Sequence, residues 1–178
     1  MYTDVTAIIV SNEKINQRKQ KNLNLQRNSA VFLSIFHLLQ QMFRKIILVV
    51  NTPENISYKN IEIVVNDLPS LNPLSGFTAG LRKSETEKNF IIADNYPFIS
   101  EEAVRYIVDY KTSKPVTVAK AEGEVQEFAG MFNRSVLLLA DEILKKQLSL
   151  PKDMQNGCRV IRLIDKTGAQ LIDAEAIP

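Results

Sequence analysis

The sequence predicts a three-layer α/β/α domain built on a mostly parallel sheet, and three observations carry that prediction. Short β-branched apolar runs alternate with segments of helical periodicity. Each run ends in polar or turn-forming residues. No Pro/Gly/Ser-rich linker or shift of composition divides the 178 residues, which are 45% hydrophobic and 24% charged. The chain therefore reads as one domain, 1–178, around one core.

The runs expected as strands are Val5 to Val10, Lys45 to Val50, Ile61 to Val65, Phe90 to Ala93 and Val116 to Ala119. Between the first two, Val31, Ile35, Leu38 and Met42 recur at helical spacing, and Phe32, Phe36, Leu39 and Phe43 widen the stripe. This predicts an almost wholly buried helix over Asn28 to Phe43. Ser100, Glu101 and Glu102 open a helix running to Tyr110, because serine caps free amides and carboxylates suit the positive end of a helix dipole. Glu124 to Phe132 reads as an extended, partly antiparallel excursion. Arg134 to Leu148 reads as a helix with Leu137, Leu138, Ile143 and Leu144 inward. There is no internal repeat.

Composition excludes several kinds of chemistry. The 22 basic and 20 acidic residues leave a net charge of +2, too small a field to imply nucleic acid or an anionic membrane. The apolar run from Val31 to Leu39 is too short to span a bilayer, and Asp4 stands where a secretory leader would carry lysines. A cytoplasmic location is the expectation. One cysteine, Cys158, allows no internal disulfide, and one histidine, His37, allows no multi-histidine metal site. Cys158 reads as a small core hydrophobe and His37 as a hydrogen-bonded packing residue.

The opening stretch "DVTAIIVSNEKINQRKQKN" sets the functional question, for the first strand leaves into Ser11, Asn12, Glu13 and Lys14 where a phosphate-binding turn would carry glycines. Asn12 to Asn28 reads as a long solvated loop. Ligands of open α/β sheets bind beyond the carboxyl ends of the strands. The loops after Val10, Val65 and Ala93 should therefore border one crevice. Lys14, Arg18, Lys19 and Lys21 are either a solvated basic loop or a phosphate clamp.

Two later runs, "NDLPSLNPLSGFTAGL" and "NFIIADNYPFIS", carry a resemblance to the molybdenum cofactor guanylyltransferase family, the MobA-like nucleotidyltransferases. Pro69, Pro73, Leu74 and Gly76 match the family's Pro-Gly-x-Gly-Pro-Leu-x-Gly loop. Pro97 and Phe98 match its Cys-Asp-x-Pro-Phe turn. Asn51, ending "KIILVVN", resembles the end of the family's second strand, and "FAGMFNRSVL" resembles a later strand and helix on the pterin side. The resemblance covers nearly the whole chain in order and implies a Rossmann-like nucleotidyltransferase fold. The departures are equally local. Ser11 to Glu13 fall over Ala-Gly-Gly of the opening motif, so both glycines are missing, and the metal-binding Asp falls on Asn95 with Asp94 at the cysteine position.

The resemblance implies transfer of a nucleoside monophosphate from GTP, or another nucleoside triphosphate, to molybdopterin, assisted by Mg²⁺. Molybdoenzyme assembly factors are the further partners it suggests. Lys21 and Asp94 are the candidate catalytic residues; Val10, Ser11, Asn12, Lys14, Arg18, Asn51, Asp67 and Gly76 are the candidates for nucleotide binding. Asp94 or Asn95 holds the metal, depending on a one-residue bulge, and a similar ambiguity affects Asn66 and Asp67. Arg105 and Arg134 either contact an anionic pterin or are solvated. Three readings stay open at this point: a transferase whose side-chain cations replace backbone amides, with activity intact or weakened; a non-catalytic binding or assembly protein that keeps the fold; or another small-molecule nucleotidyltransferase of the same superfamily.

Overall fold

Alternation along the strands sets the architecture. In β1, Tyr2–Val10, the side chains of Val5, Ala7 and Ile9 enter one hydrophobic cluster while Ile8 and Val10 enter another. Period-two burial on both sides is the mark of a strand covered above and below. The same split recurs in β2, Phe43–Val50, and β4, Lys88–Ala93: Ile46, Leu48, Phe90 and Ile92 go one way, Ile47, Val49 and Ile91 the other. The computed structural model describes residues 1–11, 30–52, 61–68, 73–96, 99–151 and 159–176. Over these, β3 (Ile61–Val65), β5 (Val116–Ala121), β6 (Glu124–Asn133) and β7 (Gln170–Asp173) complete a seven-stranded sheet of order β3-β2-β1-β4-β6-β5-β7. Only β6 among them runs against its neighbours.

One face is covered by α1, Ala30–Met42, and α3, Glu101–Asp109. The other carries α2 (Pro73–Lys83), α4 (Leu137–Leu148) and α5 (Ile161–Thr167). The three-layer, mostly parallel α/β fold is thus the one the sequence predicts. The α3 start is also as expected: the Ala103 backbone N–H donates to Ser100 Oγ at 3.1 Å, and Glu101 accepts from Arg105 one turn on. The antiparallel reading of Glu124 to Phe132 holds as well, since β6 pairs with β4 and β5 in that sense.

Other expectations need correction. Phe43 opens β2 rather than closing the preceding helix, because it pairs with Tyr2 and packs on Phe90. The helix is not wholly buried: its inward stripe is Phe32, Ile35, Phe36, Leu39 and Met42, with Val31 and Leu38 at the margin and Ser34, His37 and Gln41 in solvent. His37 is therefore exposed, touching the Phe36 ring edge, and is no core packing residue. The first turn of the helix predicted over Arg134 to Leu148 is a 3-10 turn, Arg134–Val136, and Leu138 is not inward but 77% exposed; Ile143 and Leu144 are buried as expected. Cys158 and the loop from Asn12 to Asn28 lie outside the described residues.

Candidate functional site at the carboxyl edge of the sheet

Because β1 to β4 are parallel, their carboxyl ends share one edge, and the chain beyond each end adds a further rung there. The Ser11 N–H donates to Val49 O at 3.0 Å, the Asn66 N–H to Val50 O at 2.7 Å and the Asp94 N–H to Val10 O at 3.1 Å. The loops after Val10, Val65 and Ala93 therefore leave the same edge, as expected from the sequence. Strand order reverses between β1 and β4, so Ser11 and Asp94 flank the point where doubly wound sheets open their ligand crevice. Neighbouring strands lie about 4.8 Å apart, which sets Asn66, above β3, roughly 14 Å from Asp94, above β4.

On the β3 side the edge is a neutral hydrogen-bonded cluster. Asn66 is buried, and its amide nitrogen donates to Asn51 Oδ1 at 3.2 Å and Ser75 Oγ at 3.0 Å. Its amide oxygen accepts from the Leu68 N–H at 3.1 Å, and Ser75 Oγ donates to Leu68 O at 2.9 Å. Both N–H donors of Asn66 and one acceptor position of its amide oxygen are thereby used. Asp67 is exposed and outside the cluster. The inward position of this pair is thus taken by the amide, not the carboxylate.

α2 reaches the cluster because glycine allows it to lie against the sheet. A Cβ at Gly76 would stand 2.9 Å from Val10 Cγ1, and one at Gly80 would stand 2.5 Å from Ile8 Cγ2. Gly76 serves this close approach, and it is the spacing that brings Ser75 to Asn66. Between the cluster and Asp94 lies Ser11, whose buried hydroxyl has no hydrogen-bond partner among the described residues.

On the β4 side, Asp94 and Asn95 form a turn in which Asp94 is half-buried and Asn95 exposed. Among the described residues there is no group of three His, Cys, Asp or Glu side chains. Mg²⁺ is commonly held by one or two carboxylates together with substrate phosphates. The single Asp94 carboxylate fits a cation carried on a polyphosphate and does not fit one caged by protein alone.

Past Ala93 the edge is walled by β6. The β4–β6 ladder ends at Ile92 and Ala129. On the other side, between the Val118–Gly130 and Lys120–Val125 pairs, β6 takes five residue steps where β5 takes two. Gln126, Glu127 and Phe128 therefore form a bulge that neither neighbour pairs, and side chains secure it. The Tyr96 hydroxyl donates to Gln126 Oε1 at 3.0 Å. The Glu127 side chain, 10% exposed, pairs with Arg159 and accepts the Ile161 N–H at 2.8 Å. Burial pushes the Tyr96 phenol pKa up, opposed by a backbone hydrogen bond from Phe128.

The structure thus brings Val10, Ser11, Asn51, Gly76, Asp94 and Asn95 to one edge. Asn12, Lys14, Arg18, Lys19 and Lys21 lie outside the described residues. Arg105 and Arg134 do not join the edge: Arg105 is bound to Glu101 on α3, and the Arg134 backbone donates to Glu87 O at the opposite end of β4. Sequence reasoning missed Ser75, Tyr96, Gln126 and Glu127. Only Ser75 carried a signal, as a polar residue on the packed face of a helix. Cavities of about 380 Å³, between α4 and α5, and about 470 Å³, around Arg44, Lys45 and Lys83, lie away from this edge.

The decisive comparison is with families. The model of the MobA-like NTP transferase domain matches residues 18–162. The chain belongs to this family. It is 24% identical over 140 residues to a protein of Carboxydothermus hydrogenoformans named "Probable molybdenum cofactor guanylyltransferase", an alignment covering 79% of this chain and 66% of that protein. The chain spans just under two thirds of that relative's length. Among solved structures, molybdopterin-guanine dinucleotide biosynthesis protein A from Archaeoglobus fulgidus superposes with a TM-score of 0.67 at 11% identity, covering 96% of this chain and 84% of the other. A protein of Aquifex aeolicus VF5 reaches 0.73 at 17%, covering 96% and 86%. At these identities the superpositions establish the fold. No helix of the described residues is long and apolar enough to cross a membrane.

Proposed function

We propose that this MobA-like chain is a nucleotidyltransferase that uses GTP as donor and molybdopterin as acceptor, with a weakened grip on phosphate and metal. The observation that supports it is the convergence of Ser11, Asn66 and Asp94 on one sheet edge at the reversal of strand order. In the reaction, an acceptor phosphate oxygen forms a bond to the α-phosphorus, the bond from that phosphorus to the β-phosphate oxygen breaks, and pyrophosphate leaves. The protein supplies no nucleophile, so its residues act by positioning and by offsetting charge. The Asn51–Asn66–Ser75 cluster fixes the floor on the β3 side. Ser11 contributes a buried hydroxyl with no partner among the described residues, and Asp94 is the residue that would hold a divalent cation, which would supply charge neutralisation on the phosphates. Lys14, Arg18, Lys19 and Lys21 are the cations available to replace missing backbone donors.

One observation favours a second reading. Where the family resemblance allows an Asp, the inward residue is Asn66, held by three internal hydrogen bonds, as befits a non-catalytic binding or assembly protein. Isothermal titration with GTP, CTP and ATP, with and without Mg²⁺, separates the two. The transferase reading requires GTP affinity that rises with Mg²⁺ and falls in the variant with Lys14, Arg18, Lys19 and Lys21 all changed to alanine. Absence of metal-assisted binding of any of the three nucleotides overturns it.

A further inference from the structure

The β6 bulge is the least backbone-supported part of the site's wall, and its two fastenings point in opposite directions. Glu127 is tied to α5 on one face of the sheet. Gln126 is tied on the other face to Tyr96, which directly follows the Asp94–Asn95 turn. Asp94 itself is fixed to β1 through its backbone N–H. β-bulges commonly re-aim side chains beside functional sites, and here the bulged residues pair with neither β4 nor β5. The turn that ends the hairpin has Glu122 at φ 51° and Gly123 at φ 84°. A side-chain hydrogen bond thus does the joining that a ladder does elsewhere in the sheet.

We propose that Tyr96 is a positioning residue, clasping the Gln126–Phe128 bulge to the Asp94–Asn95 turn so that the two walls of the crevice move as one body. The inference deepens the transferase reading and rests on it for its consequence: nucleotide and cation settling at the Asp94 turn order the opposite wall, where the acceptor is to be received. Tyr96 touches no reacting atom and acts through Asp94 and Gln126.

The test is amide hydrogen exchange of the whole chain, read without ligand and with GTP plus Mg²⁺. In Tyr96→Phe the ring stays and the hydroxyl goes, so amides of residues 124–128 should exchange about tenfold faster, while those of Ile91 and Gly130 keep their protection. Gln126→Glu retains an acceptor for the phenol and should behave as the unaltered protein. Gln126→Leu leaves the Phe128 N–H bonded to the phenol and should give a smaller acceleration than Tyr96→Phe, and the double variant should be no worse than Tyr96→Phe alone. GTP with Mg²⁺ should slow exchange in the bulge at least about fivefold in the unaltered protein and leave it unchanged in Tyr96→Phe. Unchanged bulge exchange in ligand-free Tyr96→Phe overturns the clasp, as does equal loss of protection at Ile91 and Gly130, and as does equal slowing by GTP with and without the phenol. A protein that binds no GTP overturns the transferase reading, and the clasp is then decided by the ligand-free comparison.

Discussion

The two halves of the sheet's carboxyl edge are built by different means. On the β3 side, strand ends extend their ladders by one rung, glycines seat α2 against the strands, and a neutral amide cluster closes the floor. On the β6 side the ladders stop short, and the wall hangs on Tyr96–Gln126 and on Glu127 with Arg159 and Ile161. Backbone rungs are short-range and shared along a strand, whereas each side-chain tie gathers its bonds on one residue, Tyr96 or Glu127, whose loss frees a segment. The β3 half should therefore hold its shape without ligand, and the β6 half should be the one that responds to it.

The largest effect should come from uncoupling the halves in the core. Phe77 of α2 is fully buried and meets Phe132 of β6 edge-on at 4.9 Å. Phe77→Ala should cost about 3–5 kcal/mol in urea unfolding, and a loss well below that would mean the halves pack independently. Next comes the carboxylate on the dividing line. Asp94→Asn should lower GTP-dependent turnover on the order of 10², whereas Asn95→Asp should change it little because Asn95 is exposed. The reverse result would place the metal position at residue 95. Within the β3 half, Asn66→Ala deletes three hydrogen bonds and should cost about 2 kcal/mol with loosened GTP binding. Stability lost with GTP binding intact would show the cluster to be scaffold alone. Within the β6 half, Glu127→Gln keeps an acceptor for the Ile161 N–H and weakens the tie to Arg159. It should cost about 1 kcal/mol, with faster exchange limited to the bulge and α5.

The smallest effect is one of pH. The Tyr96 phenol pKa lies above its usual 10.0 because burial disfavours the phenolate. The protonated, donating phenol contributes its stability in full below that usual value, and the contribution fades as pH rises through the raised one. Bulge exchange corrected for intrinsic rate should therefore accelerate above about pH 10, and Tyr96→Phe should abolish that dependence.

These contrasts also explain what the sequence did and did not disclose. The parallel half was legible because strands buried on both faces write their burial as continuous apolar runs, as in Ala7 to Val10 and Ile46 to Val50. Polar residues at strand starts hid the true ends: Lys88 and Asn89 join β4 by pairing with Val5 and Thr6, which no local pattern announces. β7 was missed because four residues with one buried side chain, Ile172, make too short a signal. Motif register singled out Ser11, Asn51, Gly76 and Asp94, which the fold sets at one sheet edge. It did not tell Asn66 from Asp67, since which of two adjacent residues turns inward depends on Ser75 and Leu68 across the loop. Tyr96 and Gln126 stand 30 residues apart, and their meeting follows from a bulge that only the folded sheet displays.

The neutrality of Asn66 has a consequence for where such a crevice can work. A carboxylate buried at that place would carry a charge that acid removes and that stray divalent ions attract. The amide has no proton to gain or lose between the acid and alkaline limits of folding, and three hydrogen bonds hold it to Asn51, Ser75 and Leu68. The floor of the crevice is thus a permanent fixture, indifferent to acidity and to the ionic make-up of the surrounding fluid.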